Sequence, residues 1–320
     1  KTDTTKPGAV ARNVVALLDH GAGKTIVIGA HYDHLGHGGE GSLHAANDGQ
    51  IHNGADDNAS GVAMLIYLAN ELQKEEYGGS NYLFIAFSGE EKGLLGSNYY
   101  AKNPIQSLET SKYMLNFDMV GRYDNAKGLI INGVGTATEW NDLIEKSNVN
   151  ELKLTTTESG IGPSDHTSFY LQDLPVLHFF TGAHEDYHKP SDDADKINYQ
   201  GMQDVADLVC NIIEQTDKKE ALSFQKTKEE KSATPRFTVT LGVMPDYAFG
   251  GEGMRIDGII EDRPAQKADL QKGDVVIQLG DHAVNGMQGY MKGLSKFKKG
   301  DKTIVKVKRG DEVVEAELQF

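Results

Sequence analysis

The chain has 320 residues, of which 38% are hydrophobic and 25% are charged. This composition is normal for a soluble globular protein and excludes a coiled coil, collagen and a largely disordered chain. The formal net charge is −15, and no run of about 18 apolar residues occurs, so neither a nucleic-acid partner nor a membrane span is expected.

The negative charge is unevenly distributed along the chain. From Arg236 onwards there are 13 basic and 13 acidic residues, so the whole acidic excess lies in residues 1–235. An acidic region of this kind suits metal cations and, more weakly, substrates that carry a free amine.

Four apolar runs each lead into a polar residue, and each run is typical of a buried strand. Helical patterns lie between them, notably from Ser60 to Glu76, behind a cap signal at Asn58 and Ser60, and from Tyr199 to Glu214. This alternation predicts an α/β fold with a mostly parallel-centred mixed sheet flanked by helices. The four runs are Thr25–Ala30, Tyr82–Phe87, Tyr113–Phe117 and Leu174–Phe180.

The polar residues that follow these runs, or precede a helix, are potential zinc ligands. Imidazole and carboxylate groups without thiolates suit a catalytic site for two zinc ions, because such a site must keep a position open for water. Ligands in open α/β sheets sit beyond the carboxyl ends of the strands, so we expect one crevice and a hydrolase. The candidates are His31 with Asp33, Asp57, Glu90 with Glu91, Asp118, and His188.

Each candidate has an ordinary interpretation when it is considered alone. Asp57 precedes a helix and could simply cap it, and adjacent acids such as Glu90 and Glu91 often lie on solvated surfaces. The glycine-rich segment between the first two motifs is interpreted as a loop at the mouth of the site, and its histidines are not predicted as primary ligands. These histidines are His34, His37, His44 and His52.

The character of the chain changes after residue 216. Residues 217–235 are strongly charged and end at a proline, which predicts a linker between a catalytic domain (1–216) and a second domain (236–320). The second domain contains short alternating apolar runs separated by turns such as Lys272-Gly-Asp274. This pattern predicts a small β-rich domain.

Residues 24–215 resemble the catalytic domain of the co-catalytic dizinc aminopeptidases, a family that also includes glutamate carboxypeptidase and glutaminyl cyclase. The matching segments occur in the family's order: His31-Tyr-Asp33, Gly54-Ala-Asp-Asp57-Asn-Ala-Ser-Gly61, Glu90-Glu91, Asn116-Phe-Asp118 and Tyr187-His188. The resemblance implies that His31 and Asp118 hold one zinc ion. It implies further that Glu91 and His188 hold the other, with Asp57 bridging the two.

The same resemblance implies roles for residues beside the ligands. Glu90 would be the general base, Asp33 would orient His31, and Tyr187 would donate a hydrogen bond to the tetrahedral oxyanion. The segment Ser164-Asp165-His166 resembles one that lines the family's substrate pocket. The predicted pocket residues are Asp165, His166, Phe169 and Tyr170, with Phe179 and Phe180 as further candidates.

Residues 236–320 resemble a PDZ domain of the bacterial protease-associated type. The resemblance lies in Thr240-Leu-Gly-Val-Met244 and in the stretch from Ile259 to Ile277. It implies that Leu241, Gly242, Val243 and Met244 form a loop that receives a peptide carboxylate, while the peptide adds a strand to the sheet edge. The alternative is a domain that only packs on the catalytic half, with its groove empty.

We therefore expect a zinc-dependent exopeptidase, most simply an aminopeptidase that acts on peptides. The family's usual export predicts a periplasmic or extracellular enzyme. A carboxypeptidase would need a basic group for the substrate carboxylate, and Arg122 is the only arginine near a motif. Acyl transfer like that of glutaminyl cyclase would use one zinc ion, and an inactive PDZ scaffold would require a missing ligand, whereas none is missing.

Overall fold

The structure is a computed structural model that describes residues 10–39, 41–44, 46, 48–217, 219–227, 239–246, 249, 251–259 and 263–320. The chain divides into two units. The first takes its residues from the ranges 1–41, 49–181 and 188–228, and the second from 42–48, 182–187 and 229–320. Within the described residues, no helix is long and apolar enough to cross a bilayer.

The first unit is built on a seven-stranded mixed sheet with the strand order β1-β3-β2-β4-β7-β5-β6. The central strands β3, β2, β4 and β7 run parallel, whereas β1 pairs antiparallel with β3 and β5 antiparallel with β7. The predicted mixed sheet with a parallel centre is confirmed. The strands are β1 (Val14–Leu18), β2 (Thr25–His31), β3 (Asn81–Phe87), β4 (Ser111–Phe117), β5 (Leu129–Asn132), β6 (Leu154–Thr157) and β7 (Val176–Phe180).

Helices cover both faces of the sheet because successive residues of each central strand point to opposite sides. Ile26 and Ile28 of β2 join one apolar core with α1, α3 and α5, while Val27 joins a second core with α2 and α4. The helices are α1 (Gly61–Glu71), α2 (Leu95–Lys102), α3 (Trp140–Ser147), α4 (His166–Tyr170) and α5 (Tyr199–Asp217).

Two helices differ in length from the sequence-based prediction. Helix α1 ends five residues earlier than predicted, because the backbone turns extended at Lys74 and Glu75–Tyr77 form a separate short turn. Helix α5 continues to Asp217, where buried hydrogen bonds hold its last carbonyl groups. Of the two predicted cap residues of α1, Asn58 accepts a hydrogen bond from the backbone N–H of Gly61 at 3.0 Å.

The first part of the predicted linker packs on the first unit. Phe224 forms an isolated β-bridge with Ala137, and the Ser223 backbone N–H donates to the carboxylate of Glu139. The Thr227 backbone N–H donates to the hydroxyl of Tyr170 at 3.0 Å. Residues 219–227 therefore belong structurally to the catalytic domain, and residues 228–235 of the predicted linker lie outside the described residues.

The second unit contains an antiparallel sheet with the order β13-β12-β10-β9-β8, to which β11 adds beside β10. Its apolar core includes Ile256, Val276 and Val305. The predicted β-rich character is confirmed. The elements are β8 (Val243–Pro245), β9 (Met254–Ile259), α6 (Pro264–Lys267), β10 (Val275–Leu279), β11 (His282–Ala283), α7 (Gly286–Leu294), β12 (Lys302–Arg309) and β13 (Glu312–Gln319).

Candidate metal centre

The predicted ligands of the first unit converge at one edge of its sheet. His31 is the last residue of β2, Asp118 follows β4, and Glu90 and Glu91 follow β3 after a two-residue turn. Parallel strands end at the same edge, which brings these groups together although they are far apart in the sequence. Asp57 reaches this edge from the turn that precedes α1.

One group of donor atoms surrounds His31. Its Nε2 atom lies 3.4 Å from Asp57 Oδ1 and 3.4 Å from Asp118 Oδ1. His31 and Asp57 are buried. A nitrogen and two carboxylate oxygens at this separation match the donor types that zinc prefers.

A second group of donor atoms surrounds His188. Its Nε2 atom lies 3.2 Å from Asp57 Oδ2 and 3.3 Å from Glu91 Oε2. Its Nδ1 atom lies 2.8 Å from the backbone carbonyl oxygen of Gly41, and this contact fixes the plane of the ring. Ligating histidines usually have such a partner on the second ring nitrogen.

The two oxygens of Asp57 therefore belong to different groups. Oδ1 faces His31 and Oδ2 faces His188. A carboxylate with this arrangement can bridge two cations. All five predicted ligands are thus placed in two groups that share Asp57.

The electrostatics of the cluster favour positive charge. Burial alone would lower the pKa of both imidazoles, but Asp118 and Asp57 raise the pKa of His31 well above its usual value, and Asp57 and Glu91 raise that of His188 to about 10. Burial would raise the pKa of Glu91, yet hydrogen bonds from His188 and His34 lower it to about 2. Asp57 is buried and Asp118 and Glu91 are half-buried, and a zinc cation suits such carboxylate and imidazole donors.

Asp33 connects the two groups in a way that differs from the predicted role. The Nδ1 atom of His31 lies 3.0 Å from the backbone carbonyl oxygen of Asp33 but 3.8 Å from its carboxylate. The carboxylate accepts hydrogen bonds from the backbone N–H groups of Glu90 and Glu91, at 3.1 and 3.4 Å. Asp33 orients His31 through its main chain and positions the Glu90-Glu91 turn through its side chain.

Asp192, which sequence reasoning missed, supports the shared carboxylate. Its Oδ2 atom accepts hydrogen bonds from the backbone N–H groups of Asp56 and Asp57 at 2.8 and 3.0 Å. The guanidinium of Arg122 donates to Asp192 Oδ1 at 3.0 Å. The sequence signal was only the short distance of Asp192 from His188, which does not predict a contact with Asp57.

Glu90 is half-buried, and its carboxyl group interacts electrostatically with His31 and Asp118 of the first group of donor atoms. Burial is the main reason that its pKa is raised well above the usual value, while the positive charge of His31 opposes this rise. The nearby carboxylates of Asp118 and Asp165 raise it further. A carboxyl group with a raised pKa is suited to accept a proton near neutral pH.

The predicted pocket residues lie deeper than expected. Asp165 and His166 are fully buried, and the His166 ring stacks on His178 with centroids 4.5 Å apart. Phe169 and Tyr170 are also buried, and Phe169 packs between Phe87 and Tyr100. The two aromatic residues belong to the core of the sheet's second face rather than to an open surface.

A model of peptidase family M28 matches residues 13–213 of the chain. The chain belongs to peptidase family M28. A model of the PDZ domain matches residues 221–320. The predicted metallopeptidase fused to a PDZ domain is therefore confirmed at the level of the family.

Relatives of this M28 chain include both an uncharacterized protein and a named aminopeptidase. The uncharacterized protein YfbL of Escherichia coli is 29% identical over an alignment of 246 residues, and the match covers 66% of this chain and 73% of YfbL. Aminopeptidase YwaD of Bacillus subtilis is 31% identical over an alignment of 180 residues, and the match covers 52% of this chain and 38% of YwaD.

A solved structure shares the architecture of the M28 domain. BSAP, described as a zinc aminopeptidase from Bacillus subtilis, superimposes with a TM-score of 0.52 at 25% identity. The match covers 69% of this chain and 51% of BSAP. The chain thus spans about half or less of the length of YwaD and BSAP.

Two predicted sites of the M28 chain remain predictions. Tyr187 lies in the loop 182–187, which groups with the second unit, and its backbone N–H donates to the carbonyl oxygen of His184.

In the PDZ domain, Leu241 is fully buried and Val243 begins β8. Gly242 has φ 74°, and an added Cβ would lie 2.0 Å from Arg263 Cβ, so this position requires glycine. The side chain of Met244 lies outside the described residues.

Proposed function

We propose that the M28 domain is an aminopeptidase that uses two zinc ions to remove N-terminal residues from peptides. The observation that supports this proposal is the orientation of the Asp57 carboxylate, whose Oδ1 atom faces His31 and whose Oδ2 atom faces His188. His31 and Asp118 hold one ion, and Glu91 and His188 hold the other. The name of BSAP, a zinc aminopeptidase, supports the choice of metal.

Zinc bound at these groups supplies Lewis acidity, which lowers the pKa of a water to about 7 and polarises a carbonyl oxygen. Glu90 accepts the proton of the attacking water and returns it to the departing amine. Its raised pKa favours this role because the protonated form is stable enough to be populated during the reaction. Asp33 holds the backbone of Glu90 and so fixes the direction from which the base acts.

The contacts of Arg122 favour an aminopeptidase over a carboxypeptidase. A carboxypeptidase needs a cation for the substrate's terminal carboxylate, and Arg122 is the only arginine near a motif. Arg122 instead forms a salt bridge with the fully buried Asp192, 3.0 Å away. The carboxylate-rich centre attracts a protonated amine rather than a carboxylate.

Acyl transfer like that of glutaminyl cyclase is the second candidate, because that activity uses one zinc ion within the same family. The two donor groups around His31 and His188 favour two ions.

The PDZ domain is proposed to bind the C-terminus of a peptide at the loop Leu241–Met244 and so to recruit or gate substrates, since backbone N–H groups of such loops bind carboxylates.

The decisive variant is Glu90→Gln, which keeps the size of the side chain but removes its basicity. We expect kcat to fall about 10²- to 10⁴-fold, the usual contribution of a general base, with two zinc ions per chain retained. Zinc is counted by mass spectrometry of the metal, and activity is measured on peptides with a free, an acetylated or an amidated terminus. Glu145→Gln on the exposed surface of α3 is the matched control.

Three outcomes would contradict the proposal. Retention of activity in Glu90→Gln would exclude Glu90 as the base. Cleavage of N-acetylated peptides would exclude an aminopeptidase. One zinc ion per active chain, together with cyclisation of N-terminal glutamine, would favour acyl transfer.

A further inference from the structure

His34 lies against the second donor group, although it lies in a segment interpreted as a loop at the mouth of the site. Its Nδ1 atom is 2.9 Å from Glu91 Oε1 and 3.8 Å from Asp57 Oδ2. Its ring centroid is 5.8 Å from that of His188. We propose that His34 is a positioning residue that fixes Glu91 for binding the second metal ion; this inference rests on the proposed function.

The backbone beside His34 is shaped to receive its ring. Gly54 has φ +61°, a left-handed conformation, and an added Cβ would lie 2.7 Å from the Cγ and Cδ2 atoms of His34. The same Cβ would lie 2.5 Å from the carbonyl oxygen of Asp57. Glycine at position 54 therefore lets the imidazole pack directly against the segment that carries Asp57.

The hydrogen bonds of His34 indicate which ring nitrogen carries the proton. Within the described residues, Nε2 is buried and has no hydrogen-bond partner. A buried N–H group without an acceptor is rarer than a buried lone pair without a donor, so the tautomer with the proton on Nδ1 is favoured. Nδ1 then donates its hydrogen to Glu91 Oε1.

This hydrogen bond separates the tasks of the two oxygens of Glu91. Oε1 accepts from His34, while Oε2 lies 3.3 Å from His188 Nε2 and is directed to the metal position. Without His34 the carboxylate could rotate or present both oxygens. Hydrogen-bond partners of ligating groups typically contribute about 10- to 100-fold to metal affinity.

Direct binding of metal by His34 is the competing arrangement. Nδ1 would then be a ligand, and the proton would move to Nε2, where the described residues provide no acceptor. The two arrangements differ in their response to the substitution His34→Asn. The amide nitrogen of an asparagine side chain at this position can occupy the place of Nδ1 and donate to Glu91, but an amide is a poor ligand for zinc.

The test is titration of zinc into the metal-free full chain, with His34→Ala, His34→Asn and the control His37→Ala. His37 lies in the same segment, but its Nδ1 atom contacts the carbonyl oxygen of Gly49 instead. We expect His34→Ala to weaken the second zinc about 10- to 100-fold and to leave the first unchanged. His34→Asn should restore wild-type affinity to within about threefold, and His37→Ala should have no effect.

Two results would overturn the assignment. Unchanged binding of both ions in His34→Ala would show that Glu91 needs no help. A loss in His34→Asn as large as that in His34→Ala would identify His34 as a metal ligand. If the wild-type chain itself binds fewer than two zinc ions, the proposed dizinc centre fails, which separates that failure from failure of the role of His34.

Discussion

The two ends of the central sheet both bury charged groups, but they compensate them differently. At the amino end, where β2, β3 and β4 begin, a buried lysine donates hydrogen bonds to a serine hydroxyl and to backbone carbonyl groups. A neighbouring aspartate carboxylate accepts a hydrogen bond from a backbone N–H group. At the carboxyl end, carboxylates and histidines cluster together, and some buried imidazole nitrogens have no hydrogen-bond partner within the described residues. The comparison separates a charge cluster that stabilises the fold from one that is organised to receive ligands.

Lys112 is the centre of the amino-end cluster. Its Nζ atom donates to Ser80 Oγ at 2.8 Å and to the backbone carbonyl oxygens of Thr216 and Asp217 at 3.2 and 2.6 Å. Burial lowers the pKa of Lys112, and Asp217 opposes that effect. The Asp217 carboxylate accepts from the backbone N–H of Gly79. These bonds tie the end of α5 to the start of β4.

The carboxyl-end cluster has the opposite character. Asp165 and His166 are fully buried, and both ring nitrogens of His166 lack hydrogen-bond partners within the described residues. The Nε2 atom of His178 is also without a partner there. Buried polar groups are normally satisfied, and exceptions concentrate at functional sites. We therefore expect changes at this end to affect ligands and changes at the other end to affect stability.

The largest expected effect separates two buried aspartates at opposite ends of the sheet. Asp57→Asn removes the shared charge from both donor groups, so both zinc ions should bind weakly and activity should fall by at least about 10³-fold. Asp217→Asn should keep two zinc ions and the kcat of the folded protein, with a lower melting temperature. Metal content, kcat and thermal unfolding check the pair.

The distinction between the two ends of the sheet would be wrong if Asp57→Asn and Asp217→Asn had the same zinc content and the same melting temperature. Normal zinc content in Asp57→Asn would show that this carboxylate does not bridge. Loss of zinc in folded Asp217→Asn would show that the two ends are coupled. Either result contradicts the assignment of ligand binding to one end alone.

A smaller effect is expected from Lys112→Met, which keeps the length of the side chain but removes its donors. Each buried acceptor left unpaired costs about 1 to 3 kcal/mol, so the free energy of unfolding should fall by about 3 kcal/mol. Zinc content and kcat of the folded protein should remain at the wild-type values. Denaturant unfolding of the metal-free chain measures the loss, and Lys146→Met on α3 controls for removal of a lysine. A loss of zinc in folded Lys112→Met would contradict the separation.

The strands and the convergence of the candidate ligands could be predicted because both depend on local patterns. An apolar run followed by His31 or Asp118 indicates a strand end, and parallel strands end at one edge. The contacts of Asp192 with the backbone N–H groups of Asp56 and Asp57 depend on the path of a loop, which no local pattern fixes. His34 was not predicted to contact a ligand because it lies, with His37 and His44, in a glycine-rich segment that indicates a loop.

The aromatic residues Phe169 and Tyr170 also show that side-chain positions cannot be predicted from local sequence patterns alone. Phe169 and Tyr170 follow a segment that resembles a pocket lining, so the sequence suggested substrate contacts. In the structure both side chains of the short helix α4 are buried: Phe169 packs against Phe87 and Tyr100, and Tyr170 packs against Phe224. Position next to a site in the sequence does not determine which face of a helix meets the core.

The smallest expected effect concerns the pH dependence of stability at the carboxyl end. Burial raises the pKa of Asp165 from 3.8 to about 7, while the charge of His31 opposes the rise. Because the folded-state pKa is raised, the unfolded chain ionises Asp165 first as the pH increases. Its contribution to stability is therefore present below about pH 4 and is lost as the pH rises through about 7.

Asp165→Asn cannot ionise and should remove this loss. Between pH 4 and 7 the unfolding free energy of the variant, relative to wild type, should increase by about 1 kcal/mol per pH unit. Variant and wild type must be compared at the same pH because two neighbouring histidines also titrate. Burial lowers the pKa of His166, and that of His178 to about 4, so the contribution of these histidines to the stability of the fold decreases as the pH falls. Denaturant unfolding of the metal-free proteins measures it. If the difference in unfolding free energy between variant and wild type stayed constant from pH 4 to 7, the pKa of Asp165 would be the same in the folded and the unfolded chain, which would contradict the prediction.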